Sequence, residues 1–183
     1  MNIYKDLSEN TVPSAVALGY FDGMHRGHQK VISTTVNLKK YFLRPTVFTF
    51  SKNPKSIVSN TSENQIMDIV KKEESLEKLG IEDLYIVDFL KIKDLTPREF
   101  VKNVLIKKLN AHAVVCGFNY HFGKGGVAGA EDLKKICKEF NIKTYIVKPV
   151  LYKSKPISST RIRKAIKFNN ISQITDMTKN ATY

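Results

Sequence analysis

Apolar residues along this chain fall into short, nearly continuous runs separated by stretches of helical period. Val12 to Leu18 reads as a buried strand, and Pro45–Phe50, Leu84–Phe89, Ala111–Phe118 and Thr144–Val150 read the same way. Between them, Gln29 to Leu38 places Val31, Ile32, Thr35 and Leu38 on one helix face. Glu63 to Leu79 carries Ile66, Ile69, Val70, Leu76 and Leu79 at helical spacing, with Gly80 as its stop. Thr96-Pro97-Arg98-Glu99 is a capping box with proline at the first helical position, opening a helix that buries Phe100, Val104, Leu105 and Leu109. Leu133, Ile136, Cys137 and Phe140 mark another helix, and Ser158-Ser159 start one carrying Ile162, Ala165 and Ile166. Strands that are apolar on both faces and alternate with helices predict an α/β fold: a doubly wound, mostly parallel five-stranded sheet with helices on both faces. Residues 1–168 are expected to form this domain, with 169–183 as a C-terminal helical tail or linker.

The irregular segments 19–28, 51–55, 119–129 and 151–158 all follow strands, so they should gather at one edge of the sheet, where such folds bind ligands. The first is Gly19-Tyr20-Phe21-Asp22-Gly23-Met24-His25-Arg26-Gly27-His28, a glycine-punctuated turn between strand and helix. Such a turn presents backbone N–H groups and a positive helix end to a phosphate. His25 and His28 are three apart and can both donate to one anion. The glycines stand four apart, which is not the dinucleotide-binding spacing. Two histidines alone do not make a zinc site, which wants at least a third protein ligand.

Composition changes this picture little. The chain has 183 residues, 42% hydrophobic, and no apolar run of membrane-spanning length. Met1 to Lys5 is polar and charged, with no apolar run behind it, so no signal peptide is expected. Cys116 and Cys137 read as buried thiols in a reducing compartment, which suggests a cytoplasmic protein. The net charge of +13 invites a nucleic-acid reading. The lysines are dispersed, however, as in Lys71-Lys72, Lys107-Lys108 and Lys134-Lys135, and read as solvated helix faces. A substrate carrying several phosphates would also welcome the positive field.

Two further segments bear on chemistry. Gly117 to Lys124 is one residue too long for a P-loop, and Gly125 stands where Ser or Thr would hold Mg²⁺. Its Phe118, Asn119, Tyr120 and Phe122 suit a planar ring instead, with stacking faces and an amide that donates and accepts; Phe118 and Phe122 read equally well as core residues. Ile157-Ser158-Ser159-Thr160-Arg161-Ile162-Arg163 offers hydroxyls at a helix N-terminus and arginines able to fork phosphate oxygens.

Together, the 19–28 turn and the 157–163 segment resemble the two signatures of the nucleotidylyltransferase superfamily. The Gly19-to-Gly23 opening and Gly117-Phe118-Asn119-Tyr120-His121-Phe122-Gly123-Lys124 resemble its flavin branch, the FMN adenylyltransferase domain of prokaryotic FAD synthetases. The resemblance implies a Rossmann-like domain that joins ATP and FMN into FAD and pyrophosphate, with Mg²⁺ carried on ATP and no dedicated protein metal site. It implies nucleotide binding by Gly19, Tyr20, Phe21, Asp22, Gly23, His25, His28, Ser159, Thr160 and Arg163, with His25, His28 and Arg163 acting on the reacting phosphates. Phe50, Asn53, Pro54, Asn119, Tyr120 and Phe122 would line the flavin side. No nucleic-acid or membrane partner is implied. Where the family usually shows a proline-histidine-proline run after Thr49-Phe50, this chain has Lys52-Asn53-Pro54. Bifunctional members continue into a riboflavin kinase domain, and this chain stops at Tyr183, about where that domain would start. It is therefore either a piece of a longer protein or one that only adenylylates. The competing readings are another nucleotidylyltransferase acting on a pantetheine or nicotinamide phosphate, a non-catalytic flavin- or nucleotide-binding regulator, and a nucleic-acid binder.

Overall fold

The computed structural model describes residues 1–59 and 65–179. Its elements are β1 (Asn2–Tyr4), β2 (Ser14–Leu18), α1 (Arg26–Val36), β3 (Arg44–Phe50), α2 (Pro54–Ser59), α3 (Ile69–Lys78) and β4 (Asp83–Val87). Then come α4 (Pro97–Glu99, widening into a π-helix over Phe100–Ile106), β5 (Ala111–Gly117) and a hairpin of β6 (His121–Phe122) and β7 (Ala128–Gly129). The chain closes with α5 (Ala130–Glu139), β8 (Lys143–Val147), a hairpin of β9 (Leu151–Tyr152) and β10 (Lys155–Pro156), α6 (Ser159–Lys167) and α7 (Ile171–Thr178).

The main sheet has the order β1-β4-β3-β2-β5-β8, and every pairing in it is parallel. Chain order runs outward from β2 through β3 and β4 on one side and through β5 and β8 on the other. The switch point therefore lies beside β2, where the 19–28 turn begins. Helices cover both faces. Val16, Leu18, Phe48, Val114 and Cys116 pack with Phe100, Val104 and Leu133 on one side. Ala15, Ala17, Val47, Ala113 and Val115 pack with Val31, Ile32 and Leu76 on the other. Successive strand residues alternate between the two layers, as the pleat requires. Cys116 and Cys137 are free and buried, as their positions predicted, and burial pushes their thiols up to about 12 and about 11.

The sheet has six strands rather than the expected five. The extra strand is β1, which extends the edge beyond β4. The Asn2 side-chain amide donates to Asp83 Oδ1 at 2.9 Å, and the Tyr4 ring stacks on Tyr85 with centroids 4.5 Å apart. Three residues of exposed or half-buried edge strand carry no periodic signal, so the sequence does not reveal them.

The predicted 63–79 helix is also shorter and turned. Glu63 and Asn64 lie outside the described residues. Helix α3 begins at Ile69, capped by Asp68, whose carboxylate accepts from the Lys71 N–H at 2.8 Å. Ile66 precedes the helix, and Val70 is 58% exposed. The inward face is Lys72, Ser75 and Leu76.

Within the described part of the segment after residue 168, Ile171–Thr178 form α7, which folds back against α6. Met177 joins a small cluster with Ile157, Ile162 and Ala165. The Gln29 amide, on α1, donates to the carbonyls of Met24, Thr178 and Lys179.

Candidate active site

The turn after β2 is built to aim the start of α1. His25 is the N-cap: its Nδ1 accepts from the His28 N–H at 3.3 Å. That acceptor role leaves the proton of the neutral ring on Nε2. The His25 and His28 rings stack with centroids 3.6 Å apart. Gly27 permits this, since a Cβ there would lie 3.1 Å from the His25 ring. Gly23 has φ +78°, left-handed backbone that suits glycine, and a Cβ would meet Ile66 at 2.9 Å. Burial lowers His25 to about 4, and burial, with the nearby His25 ring and the Lys72 ammonium opposing a second cation, lowers His28 well below its usual value. Both rings are therefore neutral at pH 7 and serve as hydrogen-bonding groups rather than cations. Among the described residues the His28 Nδ1 is buried without a partner, a polar atom of the kind a ligand would satisfy.

Asp22 joins three segments. Its Oδ1 accepts from the Ile66 and Met67 N–H groups at 2.9 and 3.3 Å. Its Oδ2 accepts from Arg163 Nη2 at 2.7 Å, and its carbonyl accepts from Ser159 Oγ at 3.0 Å. The two predicted phosphate segments are thus in direct contact, and α6 begins beside the turn that begins α1. Ser158 is the N-cap of α6, accepting from the Arg161 N–H at 3.3 Å. Thr160 is exposed in the first turn of that helix. The two arginines divide their roles. Arg163 faces the turn, while Arg161 donates to the carbonyls of Tyr152, Lys155 and Pro156 and braces the β9–β10 hairpin. Of the predicted nucleotide-binding side chains, Phe21 is set apart: its ring is buried in the core, edge-on to His28 at 5.4 Å. It shapes the turn, and a ligand could meet it through its backbone alone.

The residues expected on the flavin side lie at the ends of β3 and β5 and are linked by touching rings. Tyr120 stacks on Phe122 at 5.9 Å, Phe122 meets Phe100 at 5.5 Å, and Phe100 meets Phe48 at 5.8 Å. Phe48 meets Phe50, which meets Phe89, each at 5.4 Å. Phe122, 6% exposed, is a core residue of this wall. Phe50 and Tyr120 are half-buried, and Asn119 is exposed beyond them. Burial raises the Tyr120 phenol. Asn53 and Pro54 open α2 just past β3, with Asn53 Oδ1 accepting from the Lys55 N–H at 3.1 Å.

Lys72 is not the solvated lysine that the Lys71-Lys72 pair suggests in the sequence. It is 2% exposed, and its Nζ donates to the Tyr20 carbonyl at 2.9 Å. A lysine at a position of helical period facing Leu76 was the available signal, but lysine on a helix ordinarily means solvent.

The family model described as FAD synthetase matches residues 7–161. The chain is 35% identical over 159 residues to a bifunctional riboflavin kinase/FMN adenylyltransferase of Listeria monocytogenes, covering 85% of this chain and 50% of that protein. It is 28% identical to a FAD synthetase of the same organism, covering 90% of this chain and 68% of that one. A solved structure described as a macrolide-efflux protein from Streptococcus pneumoniae superposes with a TM-score of 0.84 at 34% identity, over 97% of this chain and 70% of that one. The chain spans about half the length of the bifunctional relatives it matches. With the match running from before β2, through the 19–28 turn and into the start of α6, the chain belongs to the FAD synthetase family.

Proposed function

We propose that this chain is an FMN adenylyltransferase, joining ATP and FMN into FAD and pyrophosphate. The observation that carries the reading is the Asp22 junction, which brings the starts of α1 and α6 together at the switch point of the sheet. Two helix N-termini, two neutral imidazoles and Arg163 suit the triphosphate of ATP. His25, His28 and Arg163 act on the reacting phosphates, with Ser159 and Thr160 on the β and γ groups. Gly19, Tyr20, Phe21, Asp22 and Gly23 shape and line the nucleotide side. Phe50, Asn53, Pro54, Asn119 and Tyr120 face the flavin, and Phe122 supports them from the core.

In the reaction, an oxygen of the FMN phosphate attacks the α-phosphorus of ATP in line. A new P–O bond forms, the bond from the α-phosphorus to the α–β bridging oxygen breaks, and pyrophosphate leaves with the electron pair. The attacking phosphate is already an anion, so no general base is needed. The protein contributes alignment and stabilisation of charge. Among the described residues no group of three or more His, Cys, Asp or Glu gathers, and the Asp22 carboxylate is engaged by Arg163 and two backbone N–H groups. A Mg²⁺ ion would arrive on the ATP phosphates, where it offsets their charge. Among the described residues no helix is long and apolar enough to cross a membrane. We place the reaction in the cytoplasm, a setting that suits two free buried thiols, with no nucleic-acid or membrane partner.

Incubation with ATP, Mg²⁺ and FMN, followed by chromatography, should yield FAD and one pyrophosphate per FAD. Absence of FAD under conditions where ATP and FMN both bind would overturn the reading.

A further inference from the structure

Helix α3 turns Lys72 inward, behind the turn that follows β2. Its Nζ donates to the Tyr20 carbonyl at 2.9 Å and stands 4.2 Å from the centre of the Tyr20 ring. The same carbonyl accepts from Thr49 Oγ1 at 3.0 Å, and the Tyr20 hydroxyl accepts from the Gln65 amide at 2.7 Å. Tyr20 is thus fixed from three sides, one residue past Gly19 and two before Asp22.

An ammonium is an expensive way to hold a peptide. It loses its hydration, and a carbonyl and a ring face return part of it. The charged and titratable groups facing it among the described residues are Asp22 and Tyr20 on the turn, His28 on α1 and, through Asp22, Arg163 on α6. Burial pushes Lys72 down to about 8, while Asp22 draws it back up. Among the described groups, Asp22 and Arg163 offset each other, so a protonated Lys72 adds a positive charge that the neutral histidines do not supply.

We propose that Lys72 is a positioning residue of the ATP site: its buried ammonium fixes the Tyr20 peptide and supplies net positive charge beneath the turn that receives the triphosphate. The proposal rests on the reading of this turn as the ATP site. A purely structural role makes the opposite demand on stability. The ordinary lysine value is 10.5 and the folded one is about 8. The stability contributed by the neutral form is present above 10.5 and is lost as pH falls through about 8. At neutral pH the charged side chain therefore costs stability, and an apolar residue of similar shape would relieve that cost.

The test is calorimetric titration of ATP with Mg²⁺, without FMN, into wild type, Lys72→Met and Lys72→Arg, from about pH 7 to about pH 9, with thermal unfolding of each. We expect Lys72→Met to bind ATP on the order of tenfold more weakly at neutral pH, with an unfolding temperature equal to or above wild type. The wild-type advantage should shrink as pH rises through about 8, and Lys72→Arg should keep its affinity throughout. Wild-type affinity in Lys72→Met would overturn the proposal. So would a loss that comes with a lowered unfolding temperature and no pH dependence, which marks a brace without an electrostatic role. A protein that binds ATP but makes no FAD would overturn the acceptor assignment alone; a protein that binds no ATP would overturn both.

Discussion

Arg163 Nη2 lies 2.7 Å from Asp22 Oδ2, an ion pair spanning 141 residues of sequence that docks α6 on the turn after β2. Asp22 is 2% exposed and Arg163 is less than a quarter exposed, so water screens the pair weakly. Asp22→Asn keeps the shape and removes the carboxylate charge that Arg163 meets. The expected loss is about 3–5 kcal/mol, read by urea unfolding. A loss under about 1 kcal/mol would show that the pair behaves like an exposed one.

The two arginines of α6 separate chemistry from scaffolding. Arg163→Ala should slow FAD formation by about 10²–10³, the effect of losing one preorganised donor. Arg161→Ala frees three carbonyls of the β9–β10 hairpin and should lower stability with a much smaller effect on turnover. Steady-state rates and melting curves for both variants check this, and equal rate losses would remove the distinction.

The histidines make a prediction about pH. His25 titrates at about 4 against an ordinary 6.5, because burial disfavours the imidazolium. Its contribution to stability is fully present above 6.5 and is lost as pH falls through about 4, by up to about 3 kcal/mol. Unfolding free energy should fall over that window, and less steeply in His25→Asn, which keeps a helix cap. Turnover should show no histidine ionisation between about pH 6 and pH 7. A kcat/KM profile with a step there that disappears in His28→Ala would contradict the neutral assignment.

The aromatic wall divides in the same manner. Asn119 is exposed, so Asn119→Ala should leave stability intact and weaken FMN about 5- to 150-fold through one lost hydrogen bond, with ATP unaffected. Phe122→Ala empties a core position between Tyr120 and Phe100 and should cost about 3–5 kcal/mol of stability. Titration of each ligand into each variant, alongside unfolding, tests both halves. Equal losses of ATP and FMN affinity in Asn119→Ala would mark the loop as a shared lid.

The sequence by itself determined the alternation of strands and helices, the glycine-histidine turn at the end of β2, the capping box at Thr96 and the serine start of α6. Each rests on information held within a few residues: an apolar run, a period, a cap, a glycine where a side chain cannot fit. Tertiary structure alone decided the rest. Strand β1 exists because Asn2 and Tyr4 find Asp83 and Tyr85 far along the chain. Phe122 lies in the core and Asn119 lies outside because the sheet and α4 close over the one and not the other. Asp22 and Arg163 are ordinary charged residues until folding brings them together, and Lys72 reads as solvent-facing until α3 docks behind Tyr20. Periodicity records which face of an element is apolar. It carries no information about which distant group will neutralise or hydrogen-bond a charge, and that pairing decides whether the charge can be buried.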